Sequence, residues 1–209
     1  DQRHFLQTIS GEADRLAQLV SNLLDLSRQE AGLLLLNRSP ARVQDLIARI
    51  IERQNQPGSV LISHIPAGLP LVDVDIARIE VVLRNLVANA LVYGEGEVRI
   101  SAEKKDEAVI VSVSDNGPGT PSDELPHVFE RFYRARQERQ KHSSGTGLGL
   151  AICKAFVEAH GSAIWAESNL QGTTISFSLP VAPPVTPATG TASFDKTTRE
   201  LSLQKEETS

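Results

Sequence analysis

Two amides one helical turn apart are the first residues in this chain whose chemistry can be named. Asn85 and Asn89 flank Leu86-Val87-Ala88, and a spacing of four sets both side chains on one helix face. Two neutral carbonyl oxygens there suit Mg2+, which takes a few protein oxygens and completes its octahedron with phosphate and water. An isolated pair would more often bond nearby backbone. The next block is Asp115-Asn116-Gly117-Pro118-Gly119. An ionised carboxylate only accepts, so Asp115 suits the exocyclic amine of adenine and repels the carbonyl of guanine. Gly117 and Gly119 let the backbone turn tightly against a flat base, although Asp-Asn-Gly is equally a common turn signal. The third block is Gly145-Thr146-Gly147-Leu148-Gly149-Leu150. Closely spaced glycines before a helix let N–H groups converge on phosphate. The spacing is neither that of a P-loop nor that of the dinucleotide fingerprint.

These blocks need elements to hold them. Hydrophobic spacing predicts a helix at 75–93 whose core stripe is Ile79, Val82, Leu83, Leu86 and Ala90, with the two asparagines along its edge. Strands are expected at 34–38, 59–64, 96–103, 107–114, 162–168 and 173–179. Further helices are expected at 42–55 and 147–160, with a short helical turn near 124–132. Asp115 then ends one strand, and the third block opens a helix. The grouping of strands predicts an α/β (α+β) two-layer sandwich, a mixed sheet with helices on one face. Ahead of it, residues 4–32 read as one long bundle helix. Leu6, Ile9, Ala13, Leu16, Val20 and Leu23 follow a heptad seam, Leu19 and Leu26 widen it, and Gly32 supplies a stop.

Composition excludes several classes. A length of 209 residues with 40% hydrophobic and 22% charged residues describes a globular chain. A net charge of -5 offers no basic field, so no nucleic-acid partner is expected. The sequence contains no bilayer-length apolar stretch, so membrane attachment would come only through upstream segments. The single cysteine, Cys153, sits among apolar neighbours and reads as a small buried hydrophobe. With no methionine, and a start that reads as mid-helix, the chain is expected to be a piece of a longer polypeptide. The expected division is 1–32 as the helix, 33–180 as the globular domain, and 181–209 as a Pro/Thr/Ala-rich and then charged disordered tail.

In this order, with Phe129-Glu130-Arg131-Phe132 between the second and third, the blocks resemble the N, G1, F and G2 boxes of sensor histidine kinases. The likeness is to their ATP-binding catalytic domain and covers roughly residues 1–180. Glu12-Ala13-Asp14-Arg15-Leu16 through Leu24-Asp25-Leu26-Ser27 is similar to the second helix of that family's dimerisation and phosphotransfer hairpin. The resemblance implies ATP and Mg2+ as ligands, with Asn89 as the metal ligand and Asn85 beside it at the triphosphate. It implies nucleotide contacts from Tyr93, Asp115, Gly117, Gly119, Gly145, Thr146, Gly147, Leu148, Gly149, Leu150 and Thr173. It also implies a homodimer through the N-terminal helix, a response-regulator receiver domain as partner, and a cytoplasmic location with the parent anchored in the membrane.

The segment Gln137–Ser144 would be a mobile ATP lid or a solvated loop. Phe129 and Phe132 would anchor it or be ordinary core. Arg131 or Arg134 would reach phosphate or sit at the surface. Three departures stand out: Val81 where the family has Gln or Glu, Val92 where it has Lys or Arg, and Thr120 where it has Ile. None of the five histidines, His4, His64, His127, His142 and His160, has the acceptor context, which assigns the phosphoacceptor to an absent helix. Two alternatives remain: a non-kinase ATPase of the same fold, which would need a catalytic Glu near Glu80, and a degenerate nucleotide-sensing module.

Overall fold

The computed structural model describes residues 17, 20–54, 60–94, 96–134 and 146–184. Helix α1 covers 20–30 and ends at Gly32, whose N–H donates to the Gln29 carbonyl while Leu33 N–H reaches Arg28. The seam positions Leu6, Ile9, Ala13, Leu16 and Leu19 lie outside the described residues. Within α1, Val20 and Leu23 are exposed while Asp25 and Leu26 are buried against the domain.

The remaining elements are β1 (Ser39–Ala41), α2 (Val43–Gln54), β2 (Val60–His64), β3 (Val72–Val74) and α3 (Ile76–Tyr93). They continue with β4 (Glu97–Lys105), β5 (Ala108–Asp115), a 3-10 turn (Leu125–His127), α4 (Gly149–Ala159), β6 (Ile164–Asn169) and β7 (Gly172–Pro180). The five-stranded sheet has the order β2-β4-β5-β7-β6. Only β2–β4 is parallel, so the sheet is mixed, as expected. The strand expected at 34–38 does not form. Pairing begins at Ser39, because its partner is the short β3, which the sequence pattern did not announce. After β7, Val181 bridges to Val72 and Ala182 N–H donates to the Leu71 carbonyl. From residue 185 the expected tail lies outside the described residues.

Strand alternation sets the core. Val98, Ile100 and Ala102 of β4, Val109, Val111 and Val113 of β5, and Phe177 and Leu179 of β7 all turn inward. The opposite face carries hydroxyls in cross-strand pairs, Ser112 with Ser176 and Ser114 with Thr174, each at 2.8 Å. Helices α3 and α4 cover the inner face, with α2 beside α3. All five residues of the expected α3 stripe are buried.

Helices α3 and α4 run antiparallel, and the rungs between them can be named. Asp75 N–H donates to His160 Nε2 at 2.9 Å, and Arg78 lies over the Phe156 ring. The Cys153 thiol faces the Val82 carbonyl at 3.7 Å, and Gly149 sits against Asn85. Asp75 also caps α3 by accepting from Arg78 N–H, and its second oxygen accepts from Asn37 N–H. This two-helix block fixes the asparagines relative to the glycine block.

Candidate nucleotide-binding site

A cavity of about 300 Å3 opens where the end of α3, the end of β5, the start of β7 and the start of α4 converge. Leu86, Val113 and Ile175 give it apolar walls. Of the residues expected from sequence, Asn89, Tyr93, Asp115, Gly119, Thr146, Gly147, Gly149, Leu150 and Thr173 line it. Asn85, Gly117 and Leu148 do not. Asn85 faces Cys153 and Gly149, Gly117 N–H supports the Asp115 carboxylate, and Leu148 is buried in the core. Gly145 and the expected lid Gln137–Ser144 lie outside the described residues.

Asp115 is aimed by its neighbours. Its Oδ1 accepts from Gly117 N–H at 2.9 Å and from Thr173 N–H at 3.2 Å, so two backbone donors fix one oxygen of the carboxylate in the cavity wall. Two close approaches make this arrangement depend on glycine. A Cβ on Gly172, whose φ is +138°, would meet the Asp115 carbonyl oxygen at 1.9 Å. A Cβ on Gly147, at φ +69°, would meet the Phe132 backbone at 2.7 Å. Phe132 itself has a positive φ of 61° and donates its N–H to the Gly147 carbonyl. This contact stitches the phenylalanine block to the glycine block beside the cavity, and it places Tyr133 and Thr146 in the wall.

At the other end, helix α4 begins at Gly149 with no side-chain cap at Leu148. Gly149 and Leu150 of its first turn line the cavity together with Asn89, and the unpaired N–H groups and positive dipole end of a helix start suit phosphate. Among the described residues, no cluster of three His, Cys, Asp or Glu could hold a metal alone. A cation at Asn89 would therefore need ligand oxygens to complete its shell, which is the habit of Mg2+. Burial pushes the Cys153 thiol up to about 12, so it stays protonated and serves as packing.

Several expectations resolve. Phe129 is half-buried while Phe132 is 64% exposed, so the two are not equivalent core residues. Arg131 pairs with Glu30 of α1 at 2.5 Å, a contact between two partly exposed side chains. Glu80 is held by Arg49 at 3.0 Å and Arg53 at 3.8 Å, and is not part of the cavity. The sequence reading missed Val128, Tyr133 and Pro121 as lining residues. Tyr133 had a readable signal in an aromatic directly following Phe132, whereas Val128 and Pro121 had none.

The geometry has counterparts among known proteins. The family described as histidine kinase-, DNA gyrase B- and HSP90-like ATPase matches residues 74–183. Sensor histidine kinase WalK of Bacillus subtilis (strain 168) is 36% identical over 184 residues, covering 84% of this chain and 30% of that protein. Signal transduction histidine-protein kinase AfsQ2 of Streptomyces coelicolor is also 36% identical, over 80% of this chain and 31% of its own length. This chain thus spans under a third of either relative. Among solved structures, full-length ShkA in complex with AMPPNP superposes with a TM-score of 0.74 at 28% identity, covering 87% of this chain and 39% of that one. The catalytic domain of histidine kinase ThkA gives 0.61 at 27% identity, over 70% of this chain and 97% of that domain. The chain belongs to the histidine kinase-, DNA gyrase B- and HSP90-like ATPase family. Within that family, its likeness to WalK, AfsQ2 and ThkA makes it an ATP-binding catalytic domain of the sensor histidine kinase type.

Proposed function

We propose that this chain is the nucleotide-holding part of a sensor histidine kinase, presenting Mg-ATP so that its γ-phosphoryl passes to a histidine on a dimerisation helix outside these residues. The phosphoryl would then move to a receiver-domain aspartate of a response regulator. The intact protein would be a homodimer through its N-terminal helix, anchored in the membrane with this part in the cytoplasm. No helix among the described residues is long and apolar enough to cross a membrane, so the anchor would lie elsewhere. The reading rests chiefly on one observation: Asn89, Asp115, Thr146, Gly147 and Gly149, drawn from three blocks far apart in sequence, line a single cavity. In it Asp115 Oδ2 would accept from adenine, the start of α4 would hold phosphate oxygens, and the Asn89 carbonyl oxygen would take Mg2+. Such transfer depends mainly on positioning and charge stabilisation, so one domain can supply nucleotide while another supplies the nucleophile.

A water-activating ATPase of the same fold is disfavoured, because Glu80 is engaged with α2 and Val81 stands at the key position. Calorimetric titration with ATP, with and without Mg2+, tests the reading. Asn89→Ala should lose the Mg2+-dependent gain in affinity and keep the metal-free binding; equal losses in both would remove Asn89 as a ligand. Incubated with labelled ATP and a separate helical hairpin bearing an acceptor histidine, the chain should label the hairpin and not itself. Acid-labile label on any of the five histidines of this chain would overturn the division of labour.

A further inference from the structure

A run of hydroxyls at the base end of the cavity carries information that Asp115 alone does not. Ser168 Oγ donates to the Gly172 carbonyl at 3.0 Å and accepts from Thr120 N–H at 2.7 Å. A serine has one hydroxyl hydrogen, and here the carbonyl takes it. The 3.0 Å contact between Ser168 and Thr173 is then made with Thr173 as donor. That commits the hydrogen of Thr173 in turn. The 3.3 Å contact between Thr173 and Thr120 therefore runs one way, with Thr120 donating. The chain is polarised from Thr120 through Thr173 and Ser168 to a carbonyl that can only accept. Thr120 Oγ1 is left with lone pairs alone.

Thr120 lines the cavity together with Asp115 and Thr173. Thr173 ties the two acceptors to each other, since its N–H holds Asp115 Oδ1 and its hydroxyl oxygen holds Thr120. We propose that Thr120 is a second base-reading residue, acting with Asp115 Oδ2 as a pair of acceptors for the two hydrogens of a 6-amino purine. This rests on the ATP reading of the cavity and deepens it. A base with a carbonyl at that position meets two acceptors instead of one, so guanine is rejected twice. The aliphatic residue that the resemblance leads one to expect at 120 would leave discrimination to the carboxylate alone. A Thr methyl packs like a Val methyl, whereas the hydroxyl is held by Thr173 of β7, itself bonded to Ser168 of β6. The selectivity is therefore built by the β6–β7 hairpin, outside the Asp-Asn-Gly-Pro-Gly block.

The experiment measures affinities of the full 209-residue chain for ATP, GTP and purine riboside triphosphate, which lacks the 6-amino group. Thr120→Val keeps the shape and removes the acceptor. It should weaken ATP about fivefold, leave purine riboside triphosphate unchanged, and narrow the ATP/GTP ratio by more than that factor, because GTP also loses a repulsive contact. Thr120→Ser should behave as the unsubstituted chain does. Equal weakening toward ATP and purine riboside triphosphate, or weakening toward neither, would overturn the role of Thr120 while leaving the ATP site standing. Absence of ATP binding by the unsubstituted chain would overturn the site and this proposal together. Should Thr120→Val fail to fold, Ser168→Ala addresses the same chain from its other end. It frees the hydrogen of Thr173, releases the one-way polarity, and should raise GTP affinity relative to ATP; an unchanged ratio would overturn the proposal.

Discussion

The Arg78 guanidinium takes both oxygens of the Asp25 carboxylate, at 2.5 and 3.2 Å, while lying 4.8 Å over the Phe156 ring. One arginine thereby joins helix α1 to both helices of the nucleotide-holding block. Asp25 is only 5% exposed, so this pair is not an ordinary surface bridge. Removing one member of a buried pair leaves an uncompensated charge. Asp25→Ala should cost on the order of 3 kcal/mol in denaturant unfolding, and Asp25→Ala with Arg78→Met less than the sum of the single changes. A loss below about 0.5 kcal/mol would reduce the pair to a surface contact.

Gly172→Ala tests how tightly the hairpin is drawn against Asp115. The added Cβ would meet backbone, not a movable side-chain end, and the φ of +138° disfavours any L residue. The hairpin must shift, and Thr173 N–H moves away from Asp115 Oδ1. Stability should fall by about 2 kcal/mol or more, with ATP affinity falling in parallel. Undiminished ATP affinity in a folded Gly172→Ala chain would show that the Thr173–Asp115 bond does not orient the carboxylate.

The reach of the sequence follows from which forces are local. The stripe of α3 and the alternation of β4, β5 and β7 were legible, because each element buries one face and repeats at its own period. Strand β3 was not, since three residues carry too little pattern and its pairing with β1 is decided by chain segments far apart. At the site, the residue types of Asp115 and Asn89 announced acceptors. That Asn85 turns to Cys153, and that Arg131 is taken by Glu30, depends on helix packing with no sequence signature. The polarity of the Thr120 hydroxyl is further removed, because Ser168 and Gly172 set it from about 50 residues away.

His160 is a buried imidazole with both nitrogens engaged: Nε2 accepts from Asp75 N–H, and Nδ1 is 2.7 Å from the Phe156 carbonyl and donates to it. Burial lowers its pKa below the ordinary 6.5, against the raising effect of the Phe156 carbonyl. The folded state therefore keeps His160 neutral at a pH where the unfolded chain already takes up a proton. Stability is full above about pH 6.5 and declines as pH drops toward the lowered value, below which this contribution levels off. His160→Gln removes the titration, so its unfolding midpoint should change less between pH 7.5 and 5 than that of the unsubstituted chain. Equal pH slopes would mean that His160 titrates alike in both states.

Val92 is 60% exposed on the last turn of α3, between Leu91 and the cavity residue Tyr93. It lies three residues beyond Asn89, about one helical turn further along α3. An exposed β-branched apolar residue there gains nothing from burial, and none of the described residues lining the cavity is Lys or Arg. Among the described lining residues, the phosphates in the proposed site would thus meet N–H groups and a metal but no side-chain cation. Val92→Lys adds a flexible ammonium that can reach them without disturbing the core. ATP affinity should rise roughly two- to fivefold at low ionic strength, a gain limited by solvent screening and by ordering the side chain. The increment should shrink as salt is raised from about 0.01 to 0.5 M, as exposed charges require, and adenosine affinity should not change. A gain that persists at high salt, or that appears equally with adenosine, would exclude a phosphate contact. No gain at any salt would mean that another cation already occupies that place.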